Sequence, residues 1–174
     1  MKKGILIICM LIWAGASRAE ELHKAELFGG FSYARGFPYD ANMYGWNASL
    51  AGVINREVSI VGDVSGNYTN PMSGSRFLMH SIAGGPQISL RHGKIMPFAR
   101  ILAGVNHVSY GGHSNNNFST ILGAGLDVSV NKRLSIRALQ ADWIHVFHGG
   151  SGWFFGSEER INIGRVSSGI VVKF

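Results

Sequence analysis

From Ala25 onward, apolar and polar residues alternate one by one in segment after segment, and a side-chain period of two is what a strand with unlike faces requires. Eight such segments are separated by turn or link signals. The third, Val58 to Tyr68, is the cleanest: Val58, Ile60, Gly62, Val64, Gly66 and Tyr68 oppose Ser59, Val61, Asp63, Ser65 and Asn67. The others run Ala25 to Arg35, Tyr44 to Ile54, Arg76 to Leu90, Met96 to Tyr110, Phe118 to Val130, Leu134 to His148 and Arg160 to Phe174. Two places break the pattern. Pro86 lacks a ladder donor, so it should mark a bulge or a local gap in pairing. Arg137 has the opposite parity to Gln140 and Asp142, which predicts a bulge between Arg137 and Gln140.

The connections alternate in length. Tight turns fall at residues 55–57, 91–95 and 131–133, and longer polar links at 36–43, 69–75, 111–117 and 148–159. Short turns at one end and longer loops at the other are the layout of a membrane barrel with turns in the periplasm and loops outside. Closure follows from the backbone, because in lipid an unpaired N–H or C=O costs several kcal/mol and an open edge cannot persist. The expected fold is therefore all-β: an eight-stranded antiparallel up-and-down transmembrane barrel. The 24 glycines against 4 prolines, and the lack of any long run at helical spacing after Trp13, agree with that reading.

Composition changes the picture at the amino end. Met1-Lys2-Lys3, an apolar run from Ile5 to Trp13, and small residues ending at Ala19 have the three-part layout of a secretory signal peptide. Residues 1–19 are read as that signal and 20–174 as the barrel. The apolar run is too short for a spanning helix, which needs about 20 apolar residues. The only cysteine, Cys9, lies inside it, so the mature chain cannot rely on disulfides. Of 16 basic residues, Lys2, Lys3 and Arg18 leave with the signal, so 13 stand against 10 acidic ones, a net charge of +3. Because these basic residues are scattered along the sequence, nucleic acid is not an expected partner.

The last strand ends on an aromatic carboxy-terminus. Ser167, Gly169, Val172 and Phe174 fill the four fixed places of a pattern that resembles the C-terminal insertion signal of bacterial outer-membrane β-barrels. The whole mature chain is similar to the small eight-stranded family that includes the transmembrane domain of outer-membrane protein A. That resemblance implies residence in the bacterial outer membrane among its lipid and lipopolysaccharide. It also implies assembly by the barrel insertion machinery and a monomeric state; in one departure from some relatives, no periplasmic peptidoglycan-binding domain is expected after the barrel.

Glu26, Asp63, Arg100, Asp127, Asp142 and Arg165 fall on the face assigned to the lumen. Such a barrel is just wide enough for side chains to fill, so these charges are expected to pair, Arg100 and Arg165 with carboxylates among the other four. An ion or proton path is the alternative for the same residues. Tyr33, Trp46, Tyr68, Tyr110 and Trp143 read as interface girdle residues. His107 and Ser109 share a face, which raises a lipid A hydrolase or acyltransferase, a chemistry found among some eight-stranded relatives. However, no acidic residue lies nearby to orient the histidine. His113-Ser114-Asn115 has the wrong spacing for a same-face pair. His145 and His148 lack metal-site spacing, so neither a metal nor another cofactor is expected. Trp153, Phe154 and Phe155 are consecutive in the last link, and strand alternation cannot bury them together. They read either as a surface contact or as a lid over the mouth. The leading expectation is a non-enzymatic envelope barrel with interacting loops; a lipid A modifying enzyme and a narrow small-solute channel are the alternatives.

Overall fold

Strand alternation carries through the computed structural model, which describes residues 23–37, 42–69, 77–91, 93–110, 113–147 and 160–174. The strands are β1 (Ala25–Phe37), β2 (Asn42–Val53), β3 (Val58–Thr69), β4 (Phe77–Ser89), β5 (Ile95–Tyr110), β6 (His113–Ser129), β7 (Leu134–Phe147) and β8 (Arg160–Lys173). Each pairs antiparallel with its neighbours in sequence. β1 also pairs with β8, from Glu26↔Lys173 to Phe37↔Asn162, so the sheet closes into a barrel and leaves no free edge.

The two faces are chemically opposite. Outward, Phe31, Leu50, Ile60, Ile82, Ile101, Leu122 and Ile170 are exposed around the ring. Apolar side chains left in water cost roughly 25 cal/mol per Å², so a belt of this kind is stable only against lipid. Inward, Asn47, Asp63, Ser65, Arg100, Gln140, Asp142 and Arg165 are buried. An apolar cluster that includes Ala34, Met43, Met79, Ile144, Val146 and Ile163 fills the lumen toward the loop end.

On β7 the register shifts between Arg137 and Gln140 against β8, and the β6–β7 pairing shifts at the same place, between Leu126 and Asp127 of β6. This extra residue resets the parity, so Arg137 and Gln140 both face inward. At Pro86 the β4–β5 pairing stops after Gly84↔Ala103 and resumes at Gln87↔Arg100 in the same register. The proline therefore leaves a gap in the ladder rather than a bulge, and it stays paired beside Ile60 on β3.

One sequence expectation is corrected. Residues 113–117 are strand rather than link: β6 starts at His113, and the β5–β6 ladder runs from Tyr110↔His113 through Asn106↔Asn117. Glycine, serine and asparagine are poor strand formers, and their run hid a hairpin that the ladder carries beyond the apolar belt. Other strand ends differ from the sequence reading by one or two residues. Two of the tight turns share one construction. Asn55 Oδ1 accepts from the backbone N–H groups of Glu57 (2.9 Å) and Val58 (2.8 Å), and Asn131 Oδ1 accepts from those of Arg133 (2.9 Å) and Leu134 (2.8 Å). The third turn uses Gly93 at φ 77°, a conformation glycine adopts without steric cost.

Candidate functional site

The lumen concentrates the polar chemistry of the chain, and its layout follows from register. Arg100 on β5, Gly123 on β6, Asp142 on β7 and Arg165 on β8 are successive partners in one row. Gly123 is the enabling residue. A Cβ there would collide with Asp142 Oδ1 and come within 3.1 Å of Arg100 Cγ and Nε, so the absent side chain lets the arginine pass over β6. Arg100 then meets Asp142 through Nε–Oδ1 (3.1 Å) and Nη2–Oδ2 (2.9 Å), a two-pronged contact that fits the planar guanidinium. Its Nη1 lies 3.0 Å from Asp63 Oδ2, as an ion pair without hydrogen-bond alignment.

Arg165 completes a ring of four charges. Its Nη2 reaches Asp63 Oδ1 (3.1 Å) and Asp142 Oδ2 (2.9 Å), and its Nη1 donates to Ser65 Oγ (2.6 Å). All four side chains are 0% exposed. Two cations and two anions cancel, and each carboxylate has further donors: Asn47 Nδ2 is 3.0 Å from both Asp63 oxygens, and Gln140 Nε2 donates to Asp142 Oδ2 (2.8 Å). Desolvated charges persist only when paired and hydrogen-bonded in this way.

Gln140 links this ring to a second pair nearer the turn end. It donates to Asn47 Oδ1 (3.0 Å) and accepts from Arg137 Nη1 (2.7 Å), while Arg137 binds Asp127 through Nε (2.8 Å) and Nη2 (2.9 Å). The Arg137 guanidinium lies 4.4 Å from the Phe28 ring centroid and 4.3 Å from that of Phe98, stacked between two aromatic groups. Gly125 supplies the space for Phe98, whose Cε1 would lie 2.6 Å from any Cβ there. At the mouth, Arg91 joins Glu26 (3.2 Å) and donates to the turn carbonyls of Asn55 and Arg56.

The six lumen residues named from sequence are thus all buried inside, in three groups rather than one. Arg100 and Arg165 share Asp63 and Asp142, whereas Asp127 and Glu26 are held by Arg137 and Arg91. Both of those arginines escaped the sequence list. Arg137 was left off the list although the bulge expected beside it turns it inward, and Arg91 was hidden by its place in a turn.

Of the residues assigned to the insertion signal, Ser167 is buried and Gly169 faces Gly30 across the β8–β1 seam. Val172 is half-buried and Phe174 is 65% exposed. Phe174 binds by its backbone, accepting from Lys24 N–H (2.7 Å) and donating to Ala25 O (2.9 Å). His107 is exposed on the outer wall, its Nδ1 2.7 Å from Asn116 Oδ1, and His145 makes the same contact with Asn162. His107 also lines a shallow outer groove of about 360 Å³ with Trp46, His80 and Val105. Tyr33, half-buried, donates to Asn42 Oδ1 (2.6 Å), while Trp46, Tyr68 and Trp143 are exposed on the outer face. Among the described residues, no three His, Cys, Asp or Glu side chains converge. Trp153, Phe154, Phe155, His148 and the segment 1–19 lie outside the described residues.

No protein-family model and no curated protein sequence matches the chain. Solved structures do. Neisserial surface protein A (NspA) is 16% identical with a TM-score of 0.67, over 87% of this chain and 97% of that one. Ail, the attachment invasion locus protein of Yersinia pestis, solved with the heparin analogue sucrose octasulfate, is 15% identical with a TM-score of 0.60, over 86% and 97%. The outer membrane enzyme PagL is 16% identical with a TM-score of 0.54, over 82% and 97%. With its closed eight-stranded sheet, apolar belt and polar lumen, the chain shares the fold of these small outer-membrane β-barrels.

Proposed function

We propose that the protein is a non-enzymatic barrel of the bacterial outer membrane whose lumen is closed by its own ion pairs. Its tight turns lie in the periplasm, and its loops serve envelope integrity or contact at the cell surface. Residues 1–19 act as the export signal, and Trp153, Phe154 and Phe155 form the loop contact. The observation that carries this reading is the ring of Arg100, Arg165, Asp63 and Asp142, four side chains with no exposed surface and balanced charge. A solute crossing the lumen would have to break this ring, at a cost of several kcal/mol. Ail, whose name describes attachment and invasion, supports the surface-contact part because the same scaffold serves it.

The lipid A enzyme reading has weaker support. The orienting partner of His107 is the neutral amide of Asn116, which stabilises an imidazolium less than a carboxylate would. Mass spectrometry of lipid A from cells with and without the gene separates the two readings. An unchanged acyl pattern is expected, and a lost or added acyl chain would replace this proposal with the enzymatic one.

A further inference from the structure

Arg56, Lys94 and the adjacent pair Lys132 and Arg133 come from three turns far apart in sequence, but the up-and-down topology brings all four to one rim. Each lies in a different or shared tight turn, and all are exposed. Among the described residues, none of the four is in an ion pair, and Glu57 is the one exposed carboxylate in these turns. Arg91, by contrast, is turned inward onto Glu26. The rim therefore carries a surplus of positive charge that the scattered sequence positions conceal.

Two observations place this charge at a membrane boundary. First, Arg56 is two residues from Ile54 (62% exposed), Lys94 adjoins Ile95 (58%), and Lys132 is two residues from Val130 (56%). Each cation thus lies where the lipid-facing belt ends, at the depth of headgroups. Second, the turns containing Arg56 and Lys132 are built alike: the residue following a capping asparagine is basic, and the Asn side chain clamps the two N–H groups beyond it. In the first turn Ile54 N–H donates to Val58 O (3.0 Å), and in the second Val130 N–H donates to Leu134 O (2.9 Å). Turns this tight hold their cations against the membrane rather than project them toward a distant polymer.

We propose that this rim binds the phosphates of anionic phospholipids in the leaflet at the turn end of the barrel. Basic residues at an anionic membrane surface favour such contacts by about a fivefold factor per cation. The proposal rests on the membrane-barrel reading and adds a lipid preference to it.

The test reconstitutes the mature chain into nanodiscs of equal phosphatidylglycerol and phosphatidylcholine, then counts retained lipids by native mass spectrometry. Wild type should retain phosphatidylglycerol over phosphatidylcholine by about fivefold or more. The combined variant Arg56→Gln, Lys94→Gln, Lys132→Gln and Arg133→Gln should bring the ratio close to one while keeping its heat-modifiable gel migration. Should that variant not fold, the pairs Arg56→Gln with Lys94→Gln and Lys132→Gln with Arg133→Gln, made separately, should each lower the ratio at least twofold. Equal retention of both lipids by wild type, or a ratio unmoved by the substitutions, would overturn the proposal and leave the barrel reading intact. So would sedimentation with purified peptidoglycan that the variant loses while lipid retention stays unchanged. Failure of wild type to enter nanodiscs as β-structure would overturn both.

Discussion

Individual lumen residues have effects that can be assigned to distinct causes. Arg165→Ala leaves Asp63 and Asp142 with a smaller share of positive charge in a site with no exposed surface, and breaking such a buried pair typically costs about 3–5 kcal/mol. Urea unfolding in detergent micelles should show that loss, and unchanged stability would contradict the pairing. Gly123→Ala should be harmful by another route, because its Cβ occupies the line between Arg100 and Asp142. Gly62→Ala serves as its control: the outward position has nothing within 4 Å and should unfold like wild type. Equal effects of the two substitutions would show that Gly123 gives only backbone freedom. Inward charges were readable in the sequence wherever parity held, as at Asp63, Arg100 and Arg165. Their division into three groups was not, because partners such as Arg100 and Asp142 meet across an intervening glycine that alternation does not distinguish from any other small residue.

Among the strands, β8 has two separable duties. Phe174 contributes an exposed ring and a backbone clasp to β1, so its removal should lower the amount of folded protein in the outer membrane while detergent refolding stays near wild type. Equal loss in both assays would make it a packing residue. Gly169 differs. It faces Gly30, and a Cβ there would run into the β1 backbone at Gly29 and Gly30. Gly169→Val should therefore fail to refold in detergent as well, and normal refolding in vitro would restrict that glycine to a recognition role. A terminal motif read from sequence cannot separate these duties, since the collision exists only once β8 lies against β1. The eight strands themselves were legible because each has unlike faces of period two. The exception was the start of β6, where both faces are polar and ladder pairing decides.

For the molecule as a whole, the apolar belt, the closed sheet and the charge-balanced ring in the lumen support the proposed reading, a barrel that crosses a membrane without opening a path through it. Loop function lies beyond the barrel wall and was not legible from alternation, because a loop carries no period that reveals what it contacts. The closed lumen is the central claim, and planar-bilayer recording of the purified, refolded mature protein tests it most directly. No discrete conductance steps should appear from wild type at moderate voltage. Sustained, reproducible steps that Arg100→Ala or Arg165→Ala alters would contradict the closed lumen and make the ion-pair ring the constriction of a channel.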